Sequence, residues 1–275
     1  MFTLNCNGKL LVIDRPLVMG IINATPDSFY KASRSSNTDE ILVQTEKMIA
    51  EGADIVDIGG QSTRPGSLPI SADEELKRII SGIEAVHRNF PEVIISVDTY
   101  YACVAEKSIQ AGASMINDIS SGAMDKEMIE VVSRLKVPYI AMHIKGTPQT
   151  MQQLAGYDNV CLEVLDFFIK KKAECKKAGI CDVIIDPGFG FGKTIDHNFE
   201  LLKNLLVFKM LEAPIMIGVS RKSSIYKTLG ISIEQALNGT TVLNTIALMN
   251  GATILRVHDV KEAKETVKLL SLVNG

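Results

Sequence analysis

Short apolar blocks alternate along this chain with longer stretches in which apolar positions recur every three or four residues. The beginning follows a different pattern. Residues 2–13 alternate around Asn7-Gly8, which predicts a two-stranded hairpin covering the end of something larger. From Leu17 a regular rhythm sets in. Buried strands are expected at 17–22, 55–58, 93–97, 114–116, 138–142, 183–185, 214–219 and 253–257. Helices are expected at about 39–51, 72–89, 101–110, 126–135, 160–178, 198–206 and 233–250, with a last one running to about 272. Gly52, Gly112 and Gly179 stand where helix C-caps belong. Eight strand–helix units in one chain predict an α/β fold, a (β/α)8 TIM barrel with an N-terminal β-hairpin. An open doubly wound sheet is the rival, and the evenness of the units favours closure. No linker, low-complexity tract or repeat divides the chain, so a single domain is expected over 1–275, with the hairpin at 1–14.

Composition narrows the function classes. With 275 residues, 46% hydrophobic and 22% charged, the chain can bury a sizeable core. A net charge of −3 gives no electrostatic reason to expect nucleic acid. No apolar run approaches the ~18 residues a membrane span needs, and the N-terminus carries no basic-then-apolar signal. The five cysteines are odd in number and form no Cys-x-x-Cys pair, which argues for reduced thiols. The expectation is a cytoplasmic protein with no nucleic acid and no membrane among its partners.

In a barrel of this kind, chemistry belongs at the C-terminal ends of the strands. Asn23, Thr63-Arg64, Asp98, Asn117, His143, Asp186, Lys222, Arg256 and His258 fall there. Arg64, Arg256 and His258, with Asn23 and Thr63, suit a phosphate or pyrophosphate. Asp98, Asn117, Asp186 and Lys222 suit a flat heterocycle with several N–H donors and a carbonyl; the competing reading of the carboxylates is a buried structural ion pair with Lys222. The glycines of 59–66 and 188–192 allow close backbone approach to a ligand, with Phe189 or Phe191 as a stacking face. Gly188-x-Gly190-x-Gly192-Lys193-Thr194 fails both as a Walker A loop and as G-x-G-x-x-G. His87 and His197 read as surface residues, and Met115, Met142, Met216 and Met249 as core filler. Four scattered histidines make no transition-metal cage. A hard Mg2+ carried in on a pyrophosphate, touching the protein through one oxygen such as that of Asn23, fits better.

Two stretches, Met19-Gly20-Ile21-Ile22-Asn23-Ala24-Thr25-Pro26-Asp27-Ser28-Phe29 and residues 57–66, resemble the two signatures of dihydropteroate synthases. Asp98-Thr99, Asn117-Asp118-Ile119, residues 186–192, Ser220-Arg221-Lys222-Ser223 and Arg256-Val257-His258 follow in that family's order. The resemblance runs from about residue 16 to the end. It implies a transferase of folate synthesis that joins 4-aminobenzoate to 6-hydroxymethyl-7,8-dihydropterin diphosphate and releases pyrophosphate. It further implies that Asp98, Asn117, Asp186, Lys222, Met142 and Gly218 hold the pterin. Asn23, Thr63, Arg64, Arg256 and His258 would take the diphosphate and its Mg2+. Ser223, Phe29, Pro65 and Phe191 would take the aminobenzoate. Asp98, Lys222 and Arg64 would carry the catalysis, and a homodimer packed through helices near the C-terminus is implied as well. One departure stands out: after Phe29 the family continues Ser-Asp-Gly-Gly, whereas Tyr30-Lys31-Ala32-Ser33 stands here. Two alternatives remain, a methyltetrahydrofolate-dependent methyltransferase and a catalytically silent pterin-binding homologue.

Overall fold

The computed structural model describes residues 1–25, 34–63 and 66–274. The chain opens with β1 (Phe2–Cys6) and β2 (Lys9–Ile13), antiparallel across a turn in which Asn7 and Gly8 have φ of 53° and 88°. Both central residues at positive φ make the tight turn that matches strand twist.

Eight parallel strands follow, β3 (Leu17–Asn23), β4 (Ile55–Gly59), β5 (Ile94–Asp98), β6 (Met115–Asp118), β7 (Tyr139–Met142), β8 (Val183–Asp186), β9 (Met216–Ile217) and β10 (Ile254–Val257). They run in the order β8-β7-β6-β5-β4-β3-β10-β9. A parallel bridge between Ile185 and Ile215 brings the two ends together. This near-closed ring excludes the open doubly wound sheet, whose edges would stay apart. The helices are α1 (Arg34–Ala50), α2 (Ala72–Asn89), α3 (Ala102–Gln110), α4 (Met128–Leu135), α5 (Val160–Ala178), α6 (Ile195–Lys203), α7 (Ser223–Leu229), α8 (Leu237–Met249) and α9 (Val260–Asn274).

Some expected elements shift, each for a local reason. The sixth expected helix begins at Ile195, because the Thr194 hydroxyl caps it by accepting from the His197 N–H at 3.1 Å. His197 Nδ1 in turn accepts from the Thr194 N–H, so this histidine closes a capping box and is not merely surface. The helix then gives way to a 3-10 segment, Leu205–Leu211. The expected 233–250 helix is a 3-10 turn, Glu234–Ala236, running into α8. Met249 is 68% exposed there, contrary to its reading as core.

The barrel interior is layered. Its lower part is apolar, with Met19, Ile55, Met115, Ile140, Met216 and Ile254 in one cluster that includes Leu4, Cys6 and Ile13 of the hairpin. The hairpin therefore plugs the N-terminal mouth, and the opposite mouth is left for polar side chains. A separate apolar shell joins the outer faces of the strands to the helices.

Candidate active site

Strand register sets the site. Asn23 lies opposite Gly59, Gly59 opposite Asp98, and Asp98 opposite Asn117, so one rung crosses four neighbouring strand ends, β3 to β6. Below it, Asp57 occupies the middle of the otherwise apolar β4 and is wholly buried. Asn117 Nδ2 donates to Asp57 Oδ2 at 3.0 Å. Arg256, reaching up from β10, donates from Nε to Asp57 and from Nη2 to Asp98, both at 2.6 Å. Burial opposes the charge on this guanidinium, but the two carboxylates outweigh it and keep it protonated. Burial also pushes the Asp98 carboxyl up to about 7, against the pull of Arg256, and the neighbouring acids Asp57, Asp118 and Asp186 push the same way.

The other wall comes from the ends of β8 and β9. Asp186, at the same level as Met142 on β7, accepts from the Gly188 N–H at 2.8 Å. Burial raises it above the usual carboxylate range, while Lys222 and that N–H oppose the rise. Lys222 is the N-cap of α7, and its Nζ lies 4.6 Å from the centre of the Phe191 ring while donating to the Phe189 carbonyl. Burial lowers it to about 8, with Asp186 pulling the other way. The approach of Lys222 depends on the residue before it. Arg221 has a φ of 51°, a strained value for a side-chain-bearing residue. It is pinned facing outward by two hydrogen bonds to Asp259, at 2.9 and 2.8 Å, and by the carbonyls of Ile233 and Glu234. That turn swings Lys222 inward.

Two carboxylates, an amide and an ammonium thus face one cavity mouth, beside an apolar rim of Tyr100, Ile119, Met142 and Phe191. Among known families, the profile of the pterin binding enzymes matches residues 19–258. The dihydropteroate synthase of Escherichia coli (strain K12) is 42% identical over 265 residues, covering 96% of this chain and 93% of that one. The chain belongs to the dihydropteroate synthase family. Solved structures agree. The Xanthomonas albilineans dihydropteroate synthase with 4-aminobenzoic acid superposes with a TM-score of 0.93 at 36% identity, covering 99% of this chain and 98% of that one. The same enzyme in complex with 7,8-dihydropteroate gives 0.90 at 34%, covering 100% and 99%.

Against the dihydropteroate synthase pattern, Asp98, Asn117, Asp186, Lys222, Met142 and Gly218 converge as a set. A Cβ on Gly218 would stand 3.9 Å from both the Arg256 Cβ and the Lys222 Nζ. The expected phosphate cluster is arranged differently. Arg256 joins the carboxylates, and His258 Nδ1 instead meets the Ser220 hydroxyl at 3.0 Å. Asn23 is half-buried at the end of β3, Thr63 is half-buried in the loop that follows β4, and Ser223 opens α7. Arg64, Pro65, Phe29 and the variant stretch 30–33 lie outside the described residues.

Three buried groups escaped the sequence reading. Asp57 anchors Arg256, and a carboxylate inside Ile55-Val56-Asp57-Ile58 was its signal. Lys193, 3% exposed, is tied up behind the loop that carries Phe189 and Phe191. Glu75, on the inner face of α2, is wholly buried with neither carboxyl oxygen hydrogen-bonded, and the spacing of α2 gave no hint of it. Among the described residues, no group of three His, Cys, Asp or Glu side chains is arranged to hold a metal ion.

Proposed function

We propose that this chain condenses 6-hydroxymethyl-7,8-dihydropterin diphosphate with 4-aminobenzoate to give 7,8-dihydropteroate and pyrophosphate. The observation that carries this is the convergence of Asp98, Asn117, Asp186 and Lys222 on one barrel mouth. Asp186 and Asn117 would accept from and donate to the pterin ring edge, and Lys222 would donate to its carbonyl. Asp98, pushed up to about 7 by burial, would ionise as pterin N–H groups take up its lone pairs. It would then stabilise the cation that develops as the C–O bond at the pterin methylene breaks.

The amine of 4-aminobenzoate attacks that methylene as a neutral nucleophile, so no protein nucleophile is required. Its carboxylate is assigned to Ser223 and its ring to Phe191, with Phe29 and Pro65. Arg256, Thr63, Arg64 and His258 are assigned to the departing diphosphate, with Arg256 also orienting Asp98. Oxygen donors of this kind fit a hard divalent cation. Asn23 would give magnesium one amide oxygen, the substrate's diphosphate giving others. When bound, the ion neutralises charge on the leaving group.

The test is pyrophosphate release by the purified protein given the pterin diphosphate, Mg2+ and 4-aminobenzoate, with the amine omitted as control. Amine-dependent release with dihydropteroate formed is expected. Calorimetric binding of the pterin without release would mark a silent binder and overturn the assignment. Sedimentation tests a homodimer, which is supported by Val242, Ile246 and Met249 forming one exposed apolar face of α8. No helix among the described residues is long and apolar enough to cross a membrane. The five free cysteines accord with a reducing, cytoplasmic setting.

A further inference from the structure

Lys193 was part of a glycine-rich run that fits no nucleotide loop, and the proposed chemistry leaves it without a task. Its Nζ donates to His143 Nδ1 at 2.9 Å and to the carbonyls of Gly188 and Phe191, each at 3.0 Å, with the His143 carbonyl at 3.3 Å. Phe189 anchors its loop in the core and the Gly190 N–H donates to Asn198 Oδ1 at 2.7 Å, but the loop's closest approaches fall at glycines. Gly188 has a φ of 73°, and a Cβ there would come within 1.9 Å of the His143 carbonyl oxygen. Gly190 has a φ of 84°, and a Cβ there would press on the Lys222 side chain at 3.0 Å. With glycines at these two close approaches, the Gly188 and Phe191 carbonyls are able to turn to one ammonium.

On the opposite side of the same loop, Lys222 takes the Phe189 carbonyl and the Phe191 ring. The two lysines therefore grip a single loop from its two faces. We propose that Lys193 is a positioning residue of the pterin site: from behind the 187–193 loop it fixes the Phe189 carbonyl and the Phe191 ring that hold the Lys222 ammonium. This rests on the assignment of Lys222 to the pterin.

The charges around Lys193 agree with the arrangement. Burial lowers Lys193 to about 7, Asp186 opposes the fall, and the like charges of Lys222 and Lys145 add to it. His143, driven down to about 2 chiefly by burial and then by Lys193 and Lys145, stays a neutral acceptor toward it. A buried ammonium without a direct carboxylate partner stabilises poorly, so the fold gains little from it as a mere staple. Its value lies in where it sets the loop.

The experiment follows the Lys222 ammonium directly, by NMR titration of 13Cε-labelled lysine, with Lys222→Arg used for assignment. In Lys193→Met the Lys222 midpoint is expected to climb from about 8 toward its ordinary 10.5. Part of the climb comes from the loss of a like charge, and most from a loosened loop readmitting water to a group lowered mainly by burial. In a Phe191→Ala background only the part due to charge should remain. In parallel, kcat/KM for the pterin diphosphate should fall about tenfold, chiefly through KM. The loss should be smaller in a Phe191→Ala background, since the two changes act through one contact. A folded Lys193→Met whose Lys222 midpoint and kcat/KM match wild type, or whose midpoint climbs just as far in the Phe191→Ala background, overturns the proposal. Should Lys193→Met not fold, the same readouts on Lys193→Gln decide the matter, with the same expected shift. If the midpoint climbs but wild type shows no turnover, the positioning stands and it is the pterin assignment of Lys222 that fails.

Discussion

Replacing Glu75 by Gln removes a buried titratable group from beneath the loop that follows β4 and should make the protein more stable in alkali. Glu75 is wholly buried, its side chain packs under Gly60, and neither carboxyl oxygen has a hydrogen-bond partner. Thr99 lies beside it without a bond of good geometry. Burial and, after it, the nearby Asp98 push the carboxyl from its ordinary 4.5 up to about 8, against opposing pulls from the Thr99 hydroxyl and, less, from Arg78. In the unfolded chain this acid ionises near 4.5, whereas in the native state it keeps its proton. Its contribution to stability is therefore intact below pH 4.5, drains away as pH rises, and is gone above about 8. The full interval is worth about 5 kcal/mol, at about 1.36 kcal/mol for each pH unit. Local opening that lets water reach the carboxylate limits the loss, so about 2–4 kcal/mol is expected in practice. Glutamine has the same shape and no proton to lose, and its unpaired amide costs the same at every pH. Urea unfolding of both proteins from pH 5 to 8.5 gives the difference directly, since groups common to both cancel. The gap should open by about 2–4 kcal/mol in favour of Glu75→Gln toward the alkaline end. Curves that stay parallel within about 0.5 kcal/mol would refute the reasoning.

The remaining expectations concern the chemistry and the loop behind it. Asp98→Asn and Lys222→Ala should each lower kcat/KM by roughly 100-fold while urea midpoints show the fold retained; near-normal rates in either variant would sink the site assignment. On the proposed roles Asp98 works ionised and Lys222 protonated, so kcat/KM should decline below about pH 7 and again above about pH 8. A flat profile from pH 6 to 9 would contradict that pair of roles. Gly188→Ala places a methyl against the His143 carbonyl at a positive φ, and should cost about 3 kcal/mol or more by urea unfolding.

Much of this molecule could be read from its sequence because strand ends in a barrel point one way. Once eight apolar blocks are placed, the residue closing each block must face the same mouth, and Asn23, Asp98, Asn117 and Asp186 follow from counting alone. The hairpin was legible through Asn7-Gly8 because a two-residue turn has few sequence solutions. What counting cannot supply is which residue a long side chain reaches. Arg256 extends from β10 across to β4 and β5, so its partners depend on closure of the ring and on no local pattern. Lys193 shows the same limit. Read along the chain it is a polar residue after three glycines, and only the folded loop wraps carbonyls around its Nζ. The 233–250 stretch was expected as one helix because its apolar spacing continues through residues 233–236, where the backbone winds more tightly.

The layering of the barrel explains why so many charges can coexist at its upper mouth. The lower interior is closed by the hairpin and filled with Met and Ile side chains, so it brings apolar burial and no water from below. Above it, Asp57, Asp98 and Asp186 are set against Arg256, Lys222 and Lys193, and each of these groups is held by hydrogen bonds from a neighbouring strand or loop. In so dry a place each charge is costly alone and tolerable as part of the set. The compensation is nonetheless incomplete. Asp98 and Asp186 both sit above the ordinary carboxylate range, because burial outweighs the cations that face them. What would bring them down is a ligand rich in N–H donors and flat enough to lie against Met142 and Phe191. The electrostatic deficit of this barrel mouth is thus complementary to a cationic heterocycle, the kind of charge that develops when a leaving group departs from one.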